Sequence, residues 1–134
     1  MNERLDNKSD TITIHHIISQ EVNPNLKKCY INKAEVTIEM HRYLHSAKGY
    51  WINKRLQLEF QNLIELLFCK REFTAKEVQE TLDITEICTK RLLNNAQKNK
   101  NGNYDRDEVI RVIMVNPFNE EDANKILRSV RSDK

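Results

Sequence analysis

Apolar residues recur at helical spacing along most of the chain, and residues that can cap a helix precede these stretches. Asn32 and Glu35 form a capping box, which predicts a helix that ends near Gly49. A second helix is predicted from about Asn53 to about Lys70, with an unusually wide apolar surface. Such a helix either packs on two sides or uses one side to form a dimer. Its apolar residues are Leu56, Leu58, Phe60, Leu63, Ile64, Leu66, Leu67 and Cys69.

Two segments are rich in β-branched residues, so the choice between strand and helix stays open for both. In residues 11–18, partial alternation of polar and apolar positions makes a short strand compete with a helix. Residues 109–115 are preceded by Asp105 and Glu108, whose spacing fits a capping box and favours a helix. A last helix is predicted to begin at Asn119. Three acidic residues follow Asn119, and the other end of this helix is basic.

Residues 73–93 contain two helix starts that only one short helix separates. Thr74 and Glu77 form a capping box, which predicts a helix of about two turns that ends at Leu82. A tight turn follows, and Thr85 caps the next helix. The segment is therefore predicted to be helix, tight turn, helix.

This segment resembles the helix-turn-helix of bacterial DNA-binding proteins, in which a "T-x-x-E-v-A-e-x-L-G-i-s" stretch leads into a recognition helix. Gln79, Asp83 and Thr89 stand where that family favours alanine, glycine and a β-branched aliphatic residue. The resemblance implies that the second helix reads duplex DNA.

The resemblance covers about residues 56–115. Residues 63–67 look like the first helix of the trihelical core of winged-helix proteins, and residues 98–103 stand where a wing begins. Residues 104–110 look like the segment that follows the wing in excisionase and MerR-like proteins. The fold so implied is mainly α, a winged-helix-like trihelical core with flanking helices, to which residues 11–18 can add a short N-terminal strand.

The second helix of this segment has a polar outer face. Successive steps of 100° place Thr85, Cys88, Thr89, Leu92, Leu93 and Ala96 on one side, opposite Ile87, Lys90, Arg91, Asn94 and Lys98. Residues 87–104 include four basic residues and no acidic one, although the net charge of the chain is only +2. We expect Arg91 and Asn94 to read base edges and the lysines to contact phosphates. The complete set of predicted DNA contacts is Thr74, Lys76, Thr85, Ile87, Lys90, Arg91, Asn94, Lys98 and Lys100.

The length of 134 residues fits one domain, and the 39% of hydrophobic residues can form a modest core. We expect a flexible N-terminus at residues 1–10 and a single domain over residues 11–134. That domain comprises an N-terminal extension with one helix (11–53), the helix-turn-helix core (54–104) and C-terminal helices (105–134).

Composition argues against an enzyme and against a cofactor. With only two glycines and two prolines, the chain has no glycine-rich phosphate loop, and the GxSxG and HExxH patterns are also missing. Its three cysteines lack CxxC spacing, which fits a reducing cytosol and indicates no thiolate zinc site. The N-terminal residues lack the apolar core of a signal peptide, and no apolar run approaches the ~18 residues of a membrane span. We therefore expect a soluble cytoplasmic protein that does not contact membranes.

Two further clusters compete with the DNA hypothesis. His41 and His45 have the i, i+4 spacing of metal ligands, and His15-His16 could add others. On the predicted helix, however, His41 and His45 lie away from the apolar face, so we expect no metal site. Residues 26–58 carry a local charge of +5 among aromatic residues, a pattern that can bind single strands by stacking. We expect instead that the aromatic residues Tyr43 and Trp51 belong to the core.

The prediction is a sequence-specific duplex DNA-binding protein that acts as a transcriptional regulator or as an excisionase-like recombination accessory factor. The wide apolar surface of residues 54–70 makes a homodimer a further expectation. The alternative is a helical protein-interaction module that uses the same fold without contacting DNA.

Overall fold

The computed structural model describes residues 11–132, and within them the protein is mainly α-helical with two small antiparallel sheets. The flexible N-terminus predicted for residues 1–10 lies outside the described residues. No helix in the described range combines the length and apolar character that crossing a membrane requires. The elements are β1 (Ile12–His16), β2 (Lys33–Thr37), α1 (Ile38–Leu44), α2 (Tyr50–Leu67), β3 (Glu72–Phe73), α3 (Ala75–Leu82), α4 (Glu86–Leu93), β4 (Tyr104–Asp105), α5 (Arg106–Met114) and α6 (Glu120–Ser132).

Residues 11–18 and 109–115, for which the sequence left the choice between strand and helix open, adopt different structures. Residues 12–16 form the strand β1, which pairs with β2 in a register that runs from Ile12 opposite Thr37 to His16 opposite Lys33. Residues 109–114 belong to the helix α5, as the preceding sequence favoured. The β-branched residues of α5 are buried in the core, so packing outweighs their intrinsic preference for strands.

The prediction that a helix begins after Asn32 is wrong, because residues 33–37 form the strand β2. Asn32 is buried, and its side chain accepts from the Ile18 amide at 2.7 Å and donates to the Ile18 carbonyl at 2.9 Å. An asparagine committed to these bonds cannot cap a helix. The helix α1 begins instead at Ile38, where the Thr37 hydroxyl accepts from the Met40 amide at 3.1 Å.

The helix α2 packs against α5 and α6, and it begins and ends a few residues earlier than the sequence predicts. Gly49 precedes it rather than ending α1, and a Cβ atom at this position would lie 1.9 Å from the Tyr43 carbonyl oxygen. Three leucines of the predicted wide apolar surface are exposed on one side of α2. They are Leu63, Leu66 and Leu67.

A single hydrophobic cluster connects α2, α3, α4 and α5 and so positions the surface formed by α3 and α4. Phe68 and Phe73 meet edge to face in it, with ring centroids 5.1 Å apart. Other members of this cluster are Phe60, Ile64, Val78, Leu82, Leu92, Leu93, Tyr104, Val109 and Ile113.

Candidate nucleic-acid interface

The capping box predicted for α3 is present. The Thr74 hydroxyl accepts from the Glu77 amide at 3.1 Å, and the Glu77 carboxylate accepts from the Thr74 amide at 2.9 Å. Each bond satisfies an amide that the first turn of a helix leaves without a partner. The start of α3 is therefore well defined, with Lys76 exposed on its first turn.

A left-handed residue separates α3 from α4. Asp83 has φ 54° and ψ 51°, and its amide donates to the Gln79 carbonyl. Asp and Asn tolerate this conformation better than most residues with a side chain, so Asp83 can occupy a turn position that favours glycine. Thr85 then begins the next helix, since its hydroxyl accepts from the Cys88 amide at 3.1 Å.

The inner face of α4 is buried largely as its sequence pattern predicts. Leu92 and Leu93 belong to the core, and Thr89 lies beside them with little exposed surface. The Thr89 hydroxyl donates to the Thr85 carbonyl at 2.9 Å, so a polar residue is accommodated where an aliphatic one is usual. Thr85 itself is exposed, unlike the rest of the face to which the helical wheel assigns it.

The outer face of α4 is exposed and basic. Lys90 makes a 3.7 Å ion pair with Glu86, and both side chains are largely in solvent, so this pair is weak. Within the described part of the chain, neither Arg91 nor Asn94 uses its side chain in a hydrogen bond or an ion pair. Both side chains can therefore reach a ligand without giving up an intramolecular contact.

A short hairpin follows α4 and carries two more lysines. Lys98 forms a bridge opposite Tyr104, and the Asn99 amide donates to the Asn103 carbonyl at 2.8 Å. Gly102 has φ 80°, which a residue with a side chain rarely adopts. Lys98 and Lys100 are both exposed on this hairpin.

The side chain of Asn99 holds the hairpin in place. Its oxygen accepts from the amides of Asn101 at 2.9 Å and Asn103 at 3.1 Å. Its amide nitrogen donates to the Asp105 carboxylate at 2.9 Å and to the Glu72 carboxylate. Because Glu72 pairs with Asp105 across β3 and β4, the hairpin is anchored beside the start of α3.

All nine residues predicted to contact DNA are exposed, and they lie on α3 and its N-terminal cap, on α4 and both of its caps, and on the hairpin. The two threonines already cap helices with their hydroxyls, whereas the lysine side chains extend into solvent. These residues are Thr74, Lys76, Thr85, Ile87, Lys90, Arg91, Asn94, Lys98 and Lys100.

The aromatic residues of the basic segment 26–58 do not all join the core as expected. Tyr43 is exposed, as are Tyr30 and Tyr50, so the prediction of a core role for Tyr43 is wrong. Trp51 is half-buried, with the Lys125 ammonium 5.9 Å from its ring centroid.

Three histidines that the sequence analysis weighed as metal ligands and discounted lie together in the structure. The ring centroids of His15, His41 and His45 lie 5.0 to 5.3 Å apart, and one ligand nitrogen from each ring lies within 4.8 Å of the others. Burial lowers the pKa of His15 below 6.5 despite a hydrogen bond with Asn53, so its ring is mainly neutral at pH 7. The i, i+4 spacing of His41 and His45 was visible, but their proximity to His15 depends on the pairing of β1 with β2.

Comparisons with protein-family models, with curated proteins and with solved structures found no match to this chain.

Proposed function

We propose that this chain is a sequence-specific duplex DNA-binding protein with a winged-helix-like core, in which α4 is the recognition helix. In this proposal α2, α3 and α4 form the trihelical core, and the hairpin at residues 98–104 is the wing. The order of helix, helix, tight turn, helix and hairpin supports the assignment.

The observation that carries the proposal is the exposed face of α4, where neither Arg91 nor Asn94 makes a side-chain hydrogen bond or ion pair with another residue of the range 11–132. Arginine can donate two hydrogen bonds to a guanine edge, and asparagine can bond in the same way to adenine. The eight residues of α4 extend over about 12 Å, a length that fits the major groove. Arg91 and Asn94 are accordingly the proposed base readers.

The remaining predicted contacts suit the phosphate backbone. Lys90 lies on α4, while Lys98 and Lys100 extend from the hairpin, so these cations flank the proposed base readers on two elements. Thr74, Lys76 and Thr85 lie at or near helix N-termini, where backbone amides favour phosphate groups. These contacts set the orientation of the protein without reading sequence.

We further propose that a second copy of the chain covers the exposed leucines of α2. Leu63, Leu66 and Leu67 have i, i+3 and i+4 spacing, so they share one side of the helix, and Leu66 is 75% exposed. A symmetric dimer would present two α4 helices to paired half-sites, as regulators with short operators do. The role in the cell would be transcriptional regulation or an accessory role in recombination.

One observation favours a different function, a protein-interaction module. Ile87 is 62% exposed on the outer face of α4, next to the acidic Glu86. An exposed isoleucine can contact a thymine methyl group, but it can equally insert into an apolar pocket of a partner protein. The same surface would then bind protein and leave DNA uncontacted.

Selection from a randomised duplex DNA pool distinguishes the two functions. The proposal predicts enrichment of one motif. The logarithm of the binding constant for that motif should fall linearly with the logarithm of the salt concentration between roughly 50 and 200 mM. Failure to enrich any motif, together with weak binding that disappears at physiological salt, would refute DNA reading and favour the interaction module.

A further inference from the structure

The sheet of β1 and β2 buries a histidine while it exposes isoleucines. Side chains alternate between the two faces of a strand, and Ile12 and Ile14 of β1 point to solvent. His15, on the opposite face, is only 2% exposed. Burying a polar ring where an isoleucine would pack is costly unless its nitrogens find partners.

Only one nitrogen of His15 has a hydrogen-bond partner among residues 11–132. Its Nε2 lies 3.0 Å from the Asn53 side-chain oxygen, which can only accept, so Nε2 carries the proton. The lone pair of the ring is then on Nδ1. Among the described residues, this Nδ1 is the only buried side-chain nitrogen or oxygen without a hydrogen-bond partner.

The other two histidines approach this ring from α1. His15 packs edge-on against His41 and His45, with interplanar angles of 78° and 73°. His41 is half-buried and His45 is exposed. The cluster is therefore anchored by a buried ring and open to solvent on one side.

We propose that His15, His41 and His45 together bind one divalent transition-metal ion, for which zinc has the best-fitting chemistry. Three imidazole ligands with an open fourth position are a common zinc arrangement. A histidine that binds a metal usually donates its other ring N–H to an oxygen atom, which is the bond that His15 makes with Asn53. Asn53 is thus a positioning residue for the metal ligand.

The cluster needs only a small adjustment to coordinate the ion. Ligand nitrogens around tetrahedral zinc lie about 3.4 Å apart, whereas the three nitrogens here are separated by up to 4.8 Å. The exposed ring of His45 and the half-buried ring of His41 can rotate towards the buried His15. His41 and His45 also line a surface depression together with Thr13, Ile38 and Arg42, so there is room for water or an anion beside the cluster.

Metal binding would tie together parts of the chain that are distant in sequence. The ion would link β1 to α1 directly and, through Asn53, to α2. None of the three histidines lies on α4 or the hairpin, so the metal proposal does not depend on the proposed DNA interface.

The test is a titration of the full chain with zinc by calorimetry, and with cobalt by visible absorption, under conditions that keep thiols reduced. We expect one ion per chain, a tetrahedral cobalt spectrum and a higher Tm with zinc. His41→Gln and His45→Gln should each weaken binding by at least about tenfold, and Asn53→Ala by about 10 to 100-fold.

His16→Gln is the matched control, because His16 adjoins the cluster but directs its Nε2 to the Lys27 carbonyl at 3.0 Å. Cys69→Ser is the second control, since an exposed thiol also binds zinc. Neither control should change the affinity. The proposal is overturned if wild-type protein does not bind zinc, if the double variant His41→Gln/His45→Gln binds it equally well, or if a control loses as much affinity as His45→Gln. Circular dichroism verifies that each variant is folded.

Discussion

Arg106 Nε donates a 2.6 Å hydrogen bond to the carbonyl oxygen of Phe68, the C-cap residue that follows α2. The same guanidinium donates from Nη2 to the Glu65 carbonyl at 2.8 Å. Carbonyls in the last turn of a helix lack donors within that helix, and the negative end of its dipole favours a cation. The first residue of α5 thus caps the end of α2 and connects the two helices.

Replacing Arg106 with alanine should lower the free energy of unfolding by about 2 kcal/mol, because two carbonyls lose charged donors. Urea denaturation measures the change. Arg55→Ala is a suitable control, since the exposed ion pair of Arg55 with Glu59 should contribute less than about 0.5 kcal/mol. Equal losses in the two variants would argue against a capping role for Arg106.

Asn32→Ala should cost about 3 kcal/mol of unfolding free energy. The Asn32 side chain bonds both the amide and the carbonyl of Ile18 in a buried site, and the substitution leaves those groups without partners. Denaturant titration by circular dichroism tests this value. Asn62→Ala, on the exposed side of α2, should change stability by less than about 0.5 kcal/mol. A loss below 1 kcal/mol for Asn32→Ala would contradict the prediction.

Glu108 should make stability depend on pH in the acidic range. Its hydrogen bond from Arg111, aided by one from the Gln97 amide, lowers the pKa of Glu108 from 4.5 to about 2. A depressed carboxyl pKa contributes stability that is fully present above 4.5 and is lost as the pH falls towards 2. Glu108→Gln should therefore be less stable than wild type by about 1 kcal/mol at pH 7.

The difference between wild type and Glu108→Gln should shrink as the pH falls below 4.5. Denaturation at several pH values between 3 and 7 measures it, and comparing the two proteins cancels the titration of other carboxylates. A difference that stays constant over this range would show that the ionised Glu108 carboxylate does not stabilise the fold.

Arg91→Ala and Lys98→Ala should weaken DNA binding in different ways. Loss of a base reader should cost about 1 to 3 kcal/mol for the selected motif and relax preference at one position. Loss of the phosphate contact at Lys98 should weaken binding to every sequence and reduce the salt slope by about 1. Affinity at several salt concentrations separates these effects. Lys125→Ala, which removes a charge from α6, should leave both quantities close to wild type.

Leu66→Glu should convert the proposed dimer to a monomer, because it introduces a charge into the apolar contact. Light scattering at micromolar concentration, with and without DNA, measures the mass. Ile12→Glu is the matched control, since Ile12 is also an exposed apolar residue but lies on β1. A monomeric wild-type mass in both conditions would rule out the dimer.

Signals that depend on neighbours three or four residues apart were readable in the sequence. The capping box of Thr74 with Glu77 is present, and Leu92 and Leu93 are buried as the helical spacing of α4 predicts. Such signals succeed because the interacting groups belong to one turn of a helix, so local spacing specifies their contact.

A capping box was predicted wrongly where residues distant in sequence bind the capping side chains. The capping box predicted for Asp105 and Glu108 does not form, because Asp105 accepts from Asn99 and Glu108 binds Arg111. The element α5 is nonetheless a helix, since its apolar face packs into the core. Burial against other elements can therefore preserve a helix whose predicted cap is wrong.

Most of the helical segments, the basic face of α4 and the cap of α3 were evident from local spacing and residue chemistry alone. Strand pairing was not evident, and neither was the proximity of the three histidines, because both depend on which distant segments come together. His15 meets His41 and His45 only once β1 pairs with β2 and α1 begins at Ile38. The buried hydrogen bonds of Asn32 with Ile18 support that arrangement, which rests on a balance of packing and hydrogen bonding that local periodicity does not contain.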